Sequence, residues 1–156
     1  MTLLQFHVAI SLVGTATGLI AMFGLLAGRA PGVWTAIFLA STVLTSVTGF
    51  PLPPFGFDPP RAIGVLSLVL LALAIAALYV FHLHGAWRWI YIATAVTALY
   101  LNVFVGVVQA FQKLAFLQPF APTQTEAPFI VAQVLVLAIF AALGVLAVRS
   151  FHPAAA

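Results

Sequence analysis

The sequence predicts an all-α fold, a polytopic bundle of transmembrane helices. Of its 156 residues, 65% are hydrophobic and 4% are charged, and its mean hydropathy is +1.26. Soluble domains contain about 45–50% apolar and about 25% charged residues. This composition excludes a soluble globular protein, a nucleic-acid-binding protein and a disordered chain, and it predicts a chain that is solvated by lipid.

Five apolar segments account for most of the chain. A tilted helix needs about 17–25 residues to cross roughly 30 Å of hydrocarbon. The second segment is the shortest, and the alternative is that it enters and leaves the bilayer on one side, which leaves four spans. We predict five spans that form a single domain over residues 1–156. The spans are 4–28, 33–50, 62–83, 88–115 and 128–149.

Glycine and proline mark the breaks between these spans. Proline lacks a backbone donor and disfavours helix at the residue before it. Segment 51–60 contains five prolines and segment 119–128 contains three, so both are expected to be irregular loops, too short to form separate domains. Short breaks at 28–32 and 82–86 separate the other spans. The N-terminus lacks the basic region of a signal peptide, so we expect the first span to be retained.

The basic residues divide three to two between the two membrane faces. With five spans, three arginines share a face with the C-terminus, and no acidic residue accompanies them. Lys and Arg mark the cytoplasmic side, so we expect the C-terminus in the cytoplasm and the chain in a bacterial cytoplasmic membrane. Tryptophans near these arginines are typical of an interfacial aromatic belt. The first face carries Arg29, Arg88 and Arg149; the second carries Arg61, Lys113, Asp58 and Glu126.

Span one has a polar face. His7, Ser11, Gly14 and Gly18 are spaced four, three and four residues apart, which places them on one side of a helix. The two glycines are typical of close helix packing. An ionisable side chain inside a span is costly and usually faces a polar interior. His7 and Ser11 are therefore candidate ligand-binding residues; the alternative for His7 is that it reaches the interface.

Spans four and five carry the remaining candidates. Asn102, Gln109 and Lys113 share one face of span four, and Asn102 falls near the bilayer centre, where an unpaired amide is expensive. The alternative is that Asn102 only joins helices by a hydrogen bond. Glu126 precedes Pro128 at the start of span five, where capping of the positive helix end is the alternative to a role in binding.

The candidate polar side chains of the spans map to the N-terminal face of the membrane, except Asn102, which lies deeper. If the helix faces converge, they form a polar vestibule that opens on that face and reaches to Asn102. Thr45, Thr48 and Gln133 belong to the same pattern. The predicted ligand-binding residues are His7, Ser11, Asn102, Gln109, Lys113 and Glu126.

Several chemistries are not supported by the sequence. Without cysteine there is no thiolate metal site, Cys-ligated cluster or thiol catalysis. His7 lies across the membrane from His82, His84 and His152, which argues against a bis-His haem within one chain. No catalytic motif or paired inward carboxylates occur. We therefore expect no enzyme, no metal and no cofactor, and neither haem nor quinone has specific support.

Two functions from different classes fit this pattern. The first is binding or transport of a small molecule or ion in the vestibule, in a homo-oligomer because five short spans enclose little volume. The second is a non-catalytic accessory or assembly subunit of a larger membrane complex, such as a respiratory one. Besides lipid, the expected partners are thus further copies of the chain or other membrane subunits. Nucleic acid is excluded, since the basic residues are few and scattered.

Four segments carry a resemblance to known sequences. They are HGAWRWIY at 84–91, ALYLNVFV at 98–105, QAFQK at 109–113 and APTQTEAPF at 121–129. With them, the chain resembles a group of small, uncharacterised bacterial membrane proteins over most of its length. The resemblance implies a multi-spanning architecture and no activity or site residues.

Overall fold

A computed structural model of the chain describes residues 2–53, 56 and 59–152. The described residues form helices and contain no strand, so the all-α prediction is confirmed. The five main helices are α1 (Leu3–Leu26), α2 (Val33–Gly49), α3 (Pro59–Ile75), α4 (Trp87–Lys113) and α5 (Ala127–Ser150). Each corresponds to one of the five predicted segments; the largest difference is in the third, where α3 ends at Ile75 and the predicted segment at 83.

Four helices are long and apolar enough to cross a membrane: α1, α4, α5, and α3 with its π-helical extension Ala76–Val80. The fifth, α2, is a shorter apolar helix of 17 residues, about 25 Å long at 1.5 Å per residue. Helix α2 runs antiparallel beside α1, because Thr48 is hydrogen-bonded to His7 and Phe38 lies against Gly18. It is thus one continuous helix that follows α1 and does not turn back on itself.

Local sequence explains where the helices begin and end. At the start of α1, the Thr2 hydroxyl accepts a hydrogen bond from the Gln5 amide, and the Gln5 side chain accepts one from the Thr2 amide. This reciprocal capping box satisfies two otherwise unpaired donors. Gly28 follows the end of α1 and has the left-handed conformation (φ +68°), which glycine adopts without a Cβ clash. The turn after Val80 closes with Phe81 stacked on Trp87 at 3.8 Å.

Helix α4 is the centre of the bundle and contacts α1, α3 and α5. Its residues Tyr91, Ile92, Ala98 and Leu99 are almost completely buried. Helix α5 packs on the outside, and only Phe140 and Ala147 of its residues are buried. Val136, Leu143 and Val148 pack partly buried against the core, and most of its other large apolar side chains are exposed, which in lipid carries no hydrophobic penalty.

The helices alternate in direction, so the bundle has two distinct ends. We call the end where α1, α3 and α5 begin the N-terminal end, and the end with Arg29, Arg88 and Arg149 the arginine end. Arg88 donates from Nη1 to the carbonyls of Val148 (2.9 Å) and Phe151 (2.5 Å), which ties α4 to the end of α5. At the N-terminal end, Arg61 donates from Nη2 to the Leu52 carbonyl (2.5 Å).

Candidate ligand-binding site

The imidazole of His7 lies between α1 and α2. Its Nδ1 is 3.0 Å from the Thr48 hydroxyl, which itself donates to the Leu44 carbonyl at 2.7 Å. The hydroxyl has one proton, so it must accept the hydrogen bond from His7. We therefore assign the proton of the neutral ring to Nδ1, which leaves Nε2 as a free acceptor. Gly49 makes room for the ring, because a Cβ there would lie 3.3 Å from His7 Cε1.

Asn102 joins α4 to α2 deeper in the bundle. Its Nδ2 donates to the Thr42 hydroxyl at 3.0 Å, and Thr42 is fully buried. Gly14 faces this pair, since a Cβ there would lie 3.1 Å from Thr42 Oγ1 and 3.6 Å from Asn102 Nδ2. The partner that the sequence requires for Asn102 is thus a hydroxyl on a neighbouring helix.

The register between α1 and α4 places Gln109 at the depth of His7. Gly14 lies against Asn102, and His7 and Gln109 each lie two turns from these residues toward the N-terminal end, on the same helix faces. Lys113 follows Gln109 by one turn, and its ammonium lies within electrostatic range of His7. Both side chains were predicted to lie in one polar region with His7, and the structure brings them to the same end of the bundle.

Two side-chain oxygens in this region are buried without a hydrogen-bond partner. They are Thr45 Oγ1 on α2 and Gln109 Oε1 on α4, and neither contacts a donor among the residues that the structure describes. Thr45 lies one turn before Thr48, the partner of His7, on the same face of α2. Leaving a buried polar group unpaired costs about 1–3 kcal/mol in proteins. The Gln109 oxygen therefore requires a donor, and the Thr45 hydroxyl a donor or an acceptor, that the described residues do not supply.

A second polar region lies between α4 and α5. Gln133 donates to the Phe104 carbonyl (3.2 Å) and Gln124 to the Val108 carbonyl (3.0 Å), while Gln112 donates to Gln124 Oε1 (3.2 Å). Gln133 Oε1 is also buried with no partner in the described chain. These bonds join glutamines to helix carbonyls, and they separate Gln133 from the His7 region with which the sequence pattern had grouped it.

Glu126 and Ser11 make only local hydrogen bonds. The Glu126 carboxylate accepts bonds from the Thr123 amide (3.1 Å) and hydroxyl (2.8 Å) and from the Thr125 amide (3.1 Å). Desolvation raises the pKa of Glu126, but these bonds outweigh it and leave the pKa below its ordinary value of 4.5. Glu126 is the N-cap residue of α5, yet its side chain caps no α5 amide. The Ser11 hydroxyl donates to Val8 of its own helix (2.8 Å).

The glycines of α1 pack against helices of the same chain. A Cβ at Gly18 would lie 2.5 Å from Leu99 Cδ1 and 2.8 Å from Phe38 Cδ2. Close packing at Gly14 and Gly18 is thus confirmed. Both glycines face α2 and α4 of the same chain.

Sequence reasoning undervalued the hydroxyls of α2. Thr42 and Thr48 are the partners of Asn102 and His7, and Thr45 between them bears an unpaired oxygen. A run of hydroxyl residues is common in helices, where the side chains bond their own backbone, as Ser41 does here at 2.6 Å. Their three-residue spacing, which keeps 42, 45 and 48 near one face, is the signal that could have identified them.

Among the described residues, no three His, Asp or Glu side chains are grouped to hold a metal ion. A groove of about 370 Å³ lies between α4 and α5 toward the arginine end, away from the predicted vestibule. No protein-family model, curated protein or solved structure matches the chain. Its function is therefore argued from the geometry above.

Proposed function

We propose that this integral membrane protein binds a small polar molecule at the N-terminal end of its bundle, between α1, α2 and α4. The observation that supports this is the pair of buried, unpaired oxygens, Thr45 Oγ1 and Gln109 Oε1. Thr45 lies on the helix that bonds His7, and the His7 Nε2 atom is an acceptor when the neutral ring carries its proton on Nδ1. A site with several unsatisfied acceptors is suited to a ligand that brings N–H or O–H groups.

Charge narrows the class of ligand. Lys113 lies one turn beyond Gln109 at the same end of the bundle, and Glu126, the only acidic residue in the described ranges, makes its hydrogen bonds with Thr123 and Thr125. Among the described residues, a cation would therefore meet one positive side chain and no carboxylate that is free of local hydrogen bonds. A neutral molecule with hydroxyl, amine or amide donors fits this environment better than an ion.

The test is native mass spectrometry of the protein extracted gently from its own membranes. We expect a small molecule to be retained, and Thr45→Val and His7→Ala to lose it, because each removes an acceptor. His152→Ala is the matched control, since His152 is exposed at the arginine end. Retention of the molecule in His7→Ala, or equal loss in His152→Ala, would contradict the proposal.

Transport is an extension of this proposal and requires more than one copy. One chain encloses little volume, so a path across the membrane would run between copies. Gly24 and Gly106 offer open helix faces for such contacts, since nothing lies within 4 Å of a Cβ at either position.

For orientation, we propose a bacterial cytoplasmic membrane with the C-terminus in the cytoplasm, on the basis of the three arginines at that end. A reporter fused after residue 156 should then be active only in the cytoplasm. Periplasmic activity would reverse the assignment of the two ends.

A second candidate function is a non-catalytic accessory subunit of a larger membrane complex. It is favoured by the low burial of α5, of whose most apolar stretch only 11% is buried within the chain, and by the open faces at Gly24 and Gly106. The same mass spectrum separates the two functions. Recovery of the 16.5 kDa chain bound to different, larger subunits would support the accessory role.

A further inference from the structure

The groove between α4 and α5 is a separate feature from the polar region. It has a volume of about 370 Å³ and opens on the outer surface of the bundle, between α4 and α5. The apolar walls of the groove include Ile92, Val96 and Phe140. Gly144 lines the groove without a side chain, and Arg149 lies at its outer end. Its lining is therefore apolar along its length and positively charged at one end.

The length of the groove matches one leaflet of a bilayer. From Phe140 to Arg149 the groove follows α5 for nine residues, which is about 14 Å at 1.5 Å per residue. Half of a hydrocarbon core of about 30 Å is about 15 Å. Trp34 and Trp89 are exposed at the same end of the bundle, as in an interfacial aromatic belt. Arg149 is therefore at the depth of lipid headgroups.

The charge at this end selects an anionic headgroup. The arginine end carries Arg29, Arg88 and Arg149, and the only two acidic residues in the sequence are Asp58, just before α3, and Glu126, just before α5. Arg88 uses Nη1 to bind carbonyls of α5. The Arg149 side chain is exposed and has no hydrogen-bond partner within the described residues. Basic sites between transmembrane helices are suited to anionic lipid headgroups.

We propose that this groove binds one anionic phospholipid, with an acyl chain against Val96 and Gly144 and the phosphate on Arg149. The guanidinium donates hydrogen bonds to the phosphate oxygens, as arginine does in bidentate pairs. The site is independent of the polar region at the N-terminal end.

The experiment is a lipid titration of the purified chain by native mass spectrometry, with dioleoylphosphatidylglycerol and dioleoylphosphatidylcholine as probes. The wild-type chain should prefer the anionic lipid. Arg149→Gln should reduce this preference about fivefold, the value for one basic side chain near an anionic surface. Arg29→Gln removes the same charge from the same end at a residue that does not line the groove, so it should change the preference less than Arg149→Gln. Equal affinity for the two lipids, or equal effects of the two variants, would overturn the proposal.

A second pair of variants tests the acyl-chain site. Gly144→Leu fills the groove and should weaken the binding of both lipids, whereas Gly24→Leu points into open space on α1 and should weaken neither. Gly144→Ala is the control for folding. Its Cβ would lie 3.6 Å from Val96 Cγ1, an ordinary contact, so this variant should fold. Unchanged lipid binding in a folded Gly144→Leu would overturn the proposal. If the wild-type chain is an oligomer, its dissociation in Gly144→Leu with no change in lipid binding would also overturn the proposal, because the groove would then be an interface between copies.

Discussion

Gly18 and Gly24 on α1 offer a matched test of the packing of this bundle. A Cβ at Gly18 would lie 2.5 Å from Leu99 Cδ1 and 2.8 Å from Phe38 Cδ2, and both of these side chains are at most 2% exposed. A Cβ at Gly24 would have nothing within 4 Å. The two glycines are in the middle and last turns of the same helix, so the same substitution probes a filled site and an open one.

The two substitutions should change the free energy of unfolding in different directions. Replacing a helical glycine by alanine gains about 1 kcal/mol of intrinsic helix stability. At Gly24 this gain stands alone, so Gly24→Ala should stabilise the chain by up to about 1 kcal/mol. At Gly18 the new methyl forces Leu99 or Phe38 to move, and overpacking costs about 1–3 kcal/mol. Gly18→Ala should therefore be neutral or destabilising by up to about 2 kcal/mol.

The measurement is unfolding in mixed micelles titrated with denaturing detergent, followed by circular dichroism on both variants and the wild type. The difference between the two variants isolates the packing cost, since the change in helix propensity is common to both. We expect this difference to be about 1–3 kcal/mol. If Gly18→Ala were as stable as Gly24→Ala, the close approach of α1 to α2 and α4 would be refuted.

Two further predictions concern individual hydrogen bonds. A double-mutant cycle of Asn102→Leu and Thr42→Val should give a coupling of about 0.6 kcal/mol and at most about 1.7 kcal/mol, the range for hydrogen bonds between membrane helices; no coupling would show that the two side chains do not interact. Hydrogen bonds lower the pKa of Glu126 in the folded chain. Its carboxylate therefore stabilises the fold above the ordinary pKa of 4.5, and this stabilisation is lost as the pH falls through the lowered pKa. Glu126→Gln should thus lower the melting temperature near neutral pH, and the gap to wild type should close in acid; a gap independent of pH would contradict the assigned bonds.

The positions of the helices could be predicted from the sequence. Apolar length, the proline-rich segments 51–60 and 119–128, and the break at Gly28 depend only on local composition. All but α2 meet the length for a membrane span, and the doubt about the second span was justified, because α2 is the shortest. The bond from His7 to Thr48 shows that α2 lies beside α1 along its length, which the sequence alone could not show.

The candidate site was predicted only in part. Asn102, His7 and Gln109 were identified because buried polar side chains in lipid are costly wherever they occur in a sequence. Thr45 and Thr48 were placed in the same polar pattern but not as partners of particular side chains, and Thr42 was not included, because a helix hydroxyl shows no preferred partner until another helix lies against it. For Glu126, capping of α5 was the alternative to a role in binding, and the loop conformation instead turns its carboxylate toward Thr123 and Thr125.

The sequence by itself determined that this chain is a bundle of membrane helices with one polar end and one arginine-rich end. Those properties follow from composition and spacing along single helices, because a helix in lipid satisfies its own backbone hydrogen bonds. Only the tertiary structure decided that Gly14 and Gly18 are closed by α2 and α4, that Thr45 and Gln109 keep unpaired oxygens, and that α4 and α5 leave a groove beside Arg149. Each of these depends on the distance and register between helices, which no single segment encodes.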